Sequence, residues 1–185
     1  MFELEKLVRA NIIALKPYSS ARDEFNGEAG IFLDANENPF GDFNRYPDPH
    51  QQTLKDKLKD LKQVSSKQIF IGNGSDEVID LLIRIFCNPS LDKVIVCPPT
   101  YGMYEVAANI NDIVVLSVPL THAFQLDIEA LQNVISQSAV NTIKIIFLCS
   151  PNNPTGNSLN REDVEMILNN FDGLVVIDEA YVNFS

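Results

Sequence analysis

Four short segments of this sequence hold the residue types that chemistry needs. Gly72-Asn73-Gly74-Ser75-Asp76-Glu77 opens a helical pattern. Its glycines let the backbone bend tightly, Ser75 or Asp76 can cap, and a helix N-terminus there offers free N–H groups to an anion. An ordinary capped turn uses the same residues. The segment is not a dinucleotide fingerprint, which would need glycine at Glu77, and not a P-loop, which needs Gly-Lys-Ser/Thr. In Cys97-Pro98-Pro99-Thr100-Tyr101-Gly102 two prolines end an apolar run and throw Tyr101 outward, where an aromatic face can stack on a planar ligand or simply fill a rim. In Ser150-Pro151-Asn152-Asn153-Pro154-Thr155-Gly156 two prolines flank two amides. Each proline pushes the residue before it out of the α region, so Asn153 becomes a rigidly aimed hydrogen-bonding group. Last, Val175-Val176-Ile177 runs into Asp178-Glu179-Ala180-Tyr181. A carboxylate at the end of a buried strand is costly unless it meets a cation, a metal or strong donors.

Each segment follows a short, β-branched, nearly continuous apolar run. Such runs lie at Gln68–Gly72, Lys93–Cys97, Ile113–Pro119, Thr142–Cys149 and Leu174–Ile177, and the pattern is that of strands covered on both faces. Helical periodicity separates them, with Val78, Leu81, Leu82, Ile85 and Phe86 on one apolar face. Alternation of this kind predicts an α/β fold, a mainly parallel sheet with helices on both faces. In such sheets ligands bind outside the carboxyl ends of the strands, which is where the four segments fall. Upstream, residues 2–15 read as an amphipathic helix with Leu4, Leu7, Val8 and Ile12 on one face. Residues 16–50 are loop-rich, with the Pro-, Asn- and Asp-rich runs Asn36–Gly41 and Tyr46–Pro49. A polar helix from about Pro49 to Leu61 carries Leu54, Leu58 and Leu61.

Composition removes several classes. The chain has 185 residues, 45% hydrophobic and 21% charged, enough to build a real core and too apolar for intrinsic disorder. Its formal charge of −11 argues against nucleic acid and against anionic membrane surfaces. Cys87, Cys97 and Cys149 form no CxxC pair, and His50 and His122 are the only histidines, so no structural metal site is expected. The three cysteines read as small core hydrophobes. Glu3 and Glu5 precede any apolar run, so the N-terminus does not read as a signal peptide, and no apolar stretch reaches membrane-spanning length. The expectation is a soluble protein of a reducing, cytoplasmic compartment.

Asp178 has two functional readings besides a plain structural cap. Apolar residues followed by Asp-Glu also describe the Mg²⁺-binding strand of P-loop ATPases, but those need a phosphate-gripping lysine in a Gly-rich loop, and this chain has none. Otherwise the carboxylate pairs with a protonated ring nitrogen. An anion cradle, a stacking tyrosine, an aimed amide and a terminal carboxylate together describe a flat, phosphorylated, cationic heterocycle, and pyridoxal phosphate (PLP) fits all four.

On these segments, in this order, the chain resembles the fold-type I PLP aminotransferases over essentially its whole length. Leu33-Asp34-Ala35-Asn36-Glu37-Asn38-Pro39, Arg45-Tyr46-Pro47-Asp48, Pro99–Tyr104 and Pro17-Tyr18 with Ser20-Ala21-Arg22 point to the histidinol-phosphate branch. The resemblance implies PLP as cofactor and transamination between L-histidinol phosphate and 2-oxoglutarate. A related phospho-amino-acid decarboxylase, an aromatic aminotransferase and a non-catalytic fragment are the alternatives. It implies that Gly74, Ser75 and Asp76 hold the cofactor phosphate through backbone N–H groups and that Tyr101 stacks on the ring. Asn153 and Tyr181 would bond its phenolic oxygen, and Asp178 would pair with its nitrogen. Tyr46 would reach the cofactor of a partner subunit, making a homodimer, and Tyr18 and Asn36 would lie near the substrate. It further implies an arm over 1–48 and the first part of the large cofactor-binding domain over 49–185. The lysine-bearing Ser-x-Ser-Lys segment would lie beyond Ser185, as would a strand that pairs with Gln68–Gly72. None of the nine lysines takes that lysine's place: Lys93 and Lys144 begin strands, and Lys67 precedes the first one.

Overall fold

The computed structural model of the protein describes residues 3–25, 31, 33–42, 46–139 and 141–184. They fall into two compact units, one of residues 1–14 with 72–185 and one of residues 15–71. This division differs from the expected arm over 1–48 at both ends: residues 1–14 group with the larger unit, and residues 49–71 group with 15–48.

The larger unit is built on four parallel strands, β1 (Lys93–Val96), β2 (Val114–Ser117), β3 (Ile143–Cys149) and β4 (Leu174–Asp178), in the order β2-β1-β3-β4. These are four of the five predicted strands, within one or two residues at each end. Side chains alternate across the sheet with period two. Val94, Val96, Ile145, Phe147 and Cys149 face one layer of helices, while Ile95, Ile146 and Leu148 face the other. The first layer holds α4 (Gly74–Phe86) and α5 (Met103–Ile110); the second holds α6 (Ile128–Gln137) and α7 (Arg161–Asn170). Burial on both faces explains the continuous apolar runs of the central strands β1 and β3, while the edge strands β2 and β4 are only partly covered. One register irregularity lies between Lys93 and Val94, whose partners on β3 are Ile143 and Ile145, so Lys144 is the extra residue. Cys87, Cys97 and Cys149 are buried and free, as expected.

Three local readings are corrected. The helix read over 2–15 is a single 3-10 turn at Leu4–Lys6 followed by the short α1 (Ala10–Ile13). Arg9 breaks it, with ψ at 138°. Its backbone N–H donates to the Ile85 carbonyl at 3.0 Å and its Nη1 to the Arg84 carbonyl at 2.8 Å. Those are orphan carbonyls at the C-terminal end of α4, so a tertiary cap outweighs local periodicity. On α4 itself the fully buried stripe is Ile79, Ile83 and Phe86, with Leu82 and Ile85 only partly covered. The predicted face is rotated from this one, because five apolar neighbours made its centre ambiguous.

The third correction falls in the smaller unit, which contains α2 (Ala21–Glu24) and α3 (Gln52–Lys62). Gln68–Gly72 is not a strand. Ser66–Gln68 forms a 3-10 turn closed by a capping box, the Gln68 side chain accepting from the Ser65 N–H at 3.0 Å. Ile69 keeps extended torsions (φ −109°, ψ 120°), yet no strand among the described residues pairs with it, and Phe70 is 64% exposed. The Ile69 N–H instead donates to the Ser66 carbonyl at 3.2 Å, closing the 3-10 turn rather than joining a ladder.

Candidate functional site

At the carboxyl ends of the strands, Ser75, Tyr101, Cys149, Asn153, Asp178, Ala180 and Tyr181 line one cavity of about 100 Å³. A larger depression, about 260 Å³, lies between Ile143, Asn170 and Asp172 at the start of β3. Asp172 is its only ionisable wall residue, so size does not single out the chemistry.

The N-terminus of α4 forms one side. Gly74 has φ +79°, a conformation that suits glycine, and nothing lies within 4 Å of where its Cβ would stand. The Glu77 carboxylate accepts from the Asn73 N–H and from its Nδ2 at 3.2 Å, folding the first turn back on itself. The N–H groups of Gly74, Ser75 and Asp76 have no acceptor among the described residues. They precede the first carbonyl that a helix can reach. Asp76 directs its carboxylate elsewhere: its Oδ1 accepts from the Tyr101 hydroxyl at 3.0 Å. That bond, then partial burial, raises the Tyr101 phenol above its ordinary pKa. It also fixes the ring that the prolines aim into the crevice.

The loop after β3 separates its two amides. Asn152 is 3% exposed and fully bonded. Its Nδ2 donates to the Pro99 carbonyl (2.8 Å) and to Thr155 Oγ1 (2.7 Å), while its Oδ1 accepts from Thr100 Oγ1 at 3.0 Å. It therefore ties this loop to the one that carries Tyr101. Asn153 lines the cavity, and its side chain has no hydrogen bond among the described residues. The peptide bonds Pro98-Pro99, Ser150-Pro151 and Asn153-Pro154 are cis.

Asp178 ends β4, where its backbone carbonyl accepts from the Ser150 N–H at 2.9 Å. Its Oδ1 accepts from the Ala180 N–H at 3.0 Å and its Oδ2 from the Tyr104 hydroxyl at 2.7 Å. Both donors are neutral. No lysine or arginine pairs with Asp178 among the described residues. Tyr104 is fully buried on α5, stacked on Phe147 (4.9 Å, 7° between planes) and meeting the Tyr101 ring edge-on at 5.6 Å. Burial, then the bond to Asp178, holds its phenol neutral far above the usual tyrosine range. Tyr181, half-exposed, divides this cavity from a second one walled by Pro151, Pro154 and Phe184.

Of the predicted site residues, Ser75, Tyr101, Asn153, Asp178 and Tyr181 line one cavity, with Gly74 and Asp76 beside it at the start of α4. Tyr18, Asn36 and Tyr46 belong to the other unit and are exposed there, Tyr18 at 91%. Tyr104 and Asn152 escaped a role in the sequence reading. Tyr104 lies in the first turn of α5, three residues after Tyr101, which precedes the helix. Chemically, the cavity offers unpaired N–H donors for an anion, an aromatic wall, an unpaired amide and a carboxylate without a countercharge. No group of three or more His, Cys, Asp or Glu side chains able to hold a metal occurs among the described residues.

The family model for aminotransferases of class I and II matches residues 26–185. Over the whole chain the sequence is 57% identical to a histidinol-phosphate aminotransferase of Cytophaga hutchinsonii, of which the match covers 53%. Among solved structures, the histidinol-phosphate aminotransferase from Clostridium acetobutylicum superposes with a TM-score of 0.63 at 26% identity, over 76% of this chain and 40% of that one. That of Sinorhizobium meliloti, in complex with pyridoxal-5'-phosphate, gives 0.68 at 23% identity over 76% and 38%, a likeness of fold. The chain spans about half the length of the curated relatives it matches. With a family model covering most of its residues, and a parallel sheet whose strand ends gather the cavity, the chain belongs to the class I and II aminotransferases.

Proposed function

We propose that the complete protein is a PLP-dependent aminotransferase that exchanges the amino group between L-histidinol phosphate and 2-oxoglutarate in histidine biosynthesis. The observation that carries this reading is the uncompensated Asp178 carboxylate in one cavity with Ser75, Tyr101, Asn153 and Tyr181. The 57% identity to a protein of that name supports the substrate.

The residues present fit the cofactor. Three N–H groups of α4 without acceptors suit a phosphate, and the helix dipole favours the same charge. Asp76 leaves its N–H to that anion while its carboxylate is engaged by Tyr101. Tyr101 offers a ring face for stacking, and Asn153 and Tyr181 have free polar groups for a phenolic oxygen. Asp178 would hold a proton on the ring nitrogen. When bound, the protonated pyridine supplies an electron sink, and the protein's part is to orient it and keep it charged. Tyr18 and Asn36 are proposed to face the substrate, and Tyr46 to reach the cofactor of a second copy in a cytoplasmic homodimer. Exposure of Tyr18 and Tyr46 on an arm with little core of its own supports a role across subunits.

The test is to express the complete protein, load it with PLP and measure glutamate formed from L-histidinol phosphate and 2-oxoglutarate. Glutamate formation abolished in Asp178→Asn supports the reading. Release of carbon dioxide from a phospho-amino acid, without glutamate, overturns it in favour of a decarboxylase.

A further inference from the structure

Asp178 is held entirely by neutral donors. Its two oxygens are fixed from two different elements, by the Ala180 N–H in the turn after β4 and by the Tyr104 hydroxyl on α5. Strand ends seldom tolerate a carboxylate without a countercharge. Here the two donors lower that cost without neutralising the charge, so the negative charge stays available to a ligand cation. The Ala180 N–H is a local contact two residues away, and any residue except proline would provide it. The Tyr104 hydroxyl is not interchangeable in this way. It reaches Asp178 across 74 residues of sequence, and its ring is clamped by Phe147 and the edge of Tyr101.

We propose that Tyr104 is a positioning residue that sets the orientation of the Asp178 carboxylate toward the cofactor's ring nitrogen; this rests on the role given to Asp178 above. A phenol is suited to the task. Because burial and the carboxylate itself keep Tyr104 neutral throughout the working pH range, it can only donate to the carboxylate. A lysine or arginine in its place would consume the charge. Phenylalanine would preserve the stack on Phe147 and lose the donor. Without the hydroxyl, the carboxylate keeps only the Ala180 N–H and is held less firmly, so its charge-assisted contact with the ring nitrogen would weaken and the nitrogen would hold its proton less well.

The experiment uses the complete, lysine-containing protein loaded with PLP labelled with ¹⁵N in the ring. Tyr104→Phe is expected to move the ring-nitrogen resonance toward that of unprotonated pyridine. It should lower kcat by roughly tenfold, at the lower end of what outer hydrogen-bonding partners contribute at ligand-orienting groups, and change KM for the amino donor less than about twofold. Should Tyr104→Phe not fold, 3-fluorotyrosine at position 104 keeps ring and hydroxyl while strengthening the donor, and should move the resonance the opposite way. Asp178→Asn separates the two readings. A resonance displaced in Asp178→Asn but unmoved by either change at Tyr104 overturns the role of Tyr104 alone. A resonance unmoved in Asp178→Asn overturns the pairing of Asp178 with the ring, and this proposal with it.

Discussion

Replacing Asn152 and Asn153 one at a time with alanine separates clamp from binder at adjacent positions. Asn152→Ala deletes three hydrogen bonds, two that tie the loop after β3 to the loop after β1 and one to Thr155 within its own loop. At about 1 kcal/mol net per bond their loss would amount to about 3 kcal/mol. Thr100 is only half-buried and Pro99 is exposed, so water recovers part of this. We therefore expect a loss of roughly 2–3 kcal/mol, which for a domain of this size lowers Tm by about 5–10 °C. Asn153→Ala deletes no bond within the protein, and its stability should change by less than about 0.5 kcal/mol.

Cofactor binding should show the complementary pattern. Losing a hydrogen bond to a bound oxygen weakens PLP about five- to tenfold in Asn153→Ala. In Asn152→Ala binding also weakens, because Tyr101 and Asn153 are no longer held in one frame. The assay is a thermal melt of the cofactor-free complete protein, followed by PLP titration of each variant. An Asn152→Ala protein that melts within 2 °C of the parent, or an Asn153→Ala protein that melts lower than Asn152→Ala, would refute the division of labour.

Three further outcomes are expected. Asp178→Asn keeps the acceptor for Ala180 and should melt within a few degrees of the parent, yet lose at least about a hundredfold in transamination, close to 2.7 kcal/mol of barrier; turnover near the parent's would remove Asp178 from the mechanism. Burial pushes the Cys87 and Cys97 thiols up to about 12 from an ordinary value of 9.0. The unfolded thiols ionise first, so their contribution is intact below pH 9 and lost as pH rises toward 12, by up to about 1.4 kcal/mol per pH unit per thiol. Urea melts at pH 8 and pH 10.5 should show this decline flattened in Cys97→Ala, and an unchanged slope would contradict it. Finally, Tyr46→Phe should weaken PLP retention without altering subunit mass. Mixing it with a variant lacking the Schiff-base lysine should restore activity, and no recovery would count against a role for Tyr46 across subunits.

What could be read from the sequence follows from how local its cause is. The two central strands, β1 and β3, were legible because burial on both faces favours an unbroken β-branched run, and the edge strands β2 and β4 carry the same residue types with less burial. Asp178 was legible because a charge placed at the end of such a run needs a reason. Which asparagine of Asn152-Asn153 faces the cavity could be argued from the flanking prolines. That Asn152 is a buried clamp could not, since its partners Pro99 and Thr100 lie some fifty residues away. Arg9 shows the same limit: the broken helix there is paid for by carbonyls on α4. The Gln68–Gly72 run carries a strand's residue types, but a strand exists only with a partner, and pairing is a property of the whole sheet. The role of Tyr104 rests on its ring stacking on Phe147 and its hydroxyl reaching Asp178, partners more than forty residues away in the sequence.

On the proposed function, the charges of the cavity favour one direction for a phosphorylated cationic ring. The α4 N-terminus presents unpaired N–H groups at the positive end of a thirteen-residue helix, a setting worth about 0.3–1 kcal/mol to an anion at an exposed site and more when partly buried. Asp178 presents a negative charge that no cation within the described residues cancels. A ligand turned end for end would set phosphate against Asp178 and a pyridinium against the helix N-terminus, so both contacts would change from attraction to repulsion. In a chain whose net charge is −11, the long-range field does not help an anion enter. On that reading the phosphate would be held by the short-range N–H donors instead. Orientation then needs no lock of shape, because the helix end and the strand end each accept only one end of the ligand. Tyr104 matters in this scheme because it holds the strand-end charge in place without cancelling it.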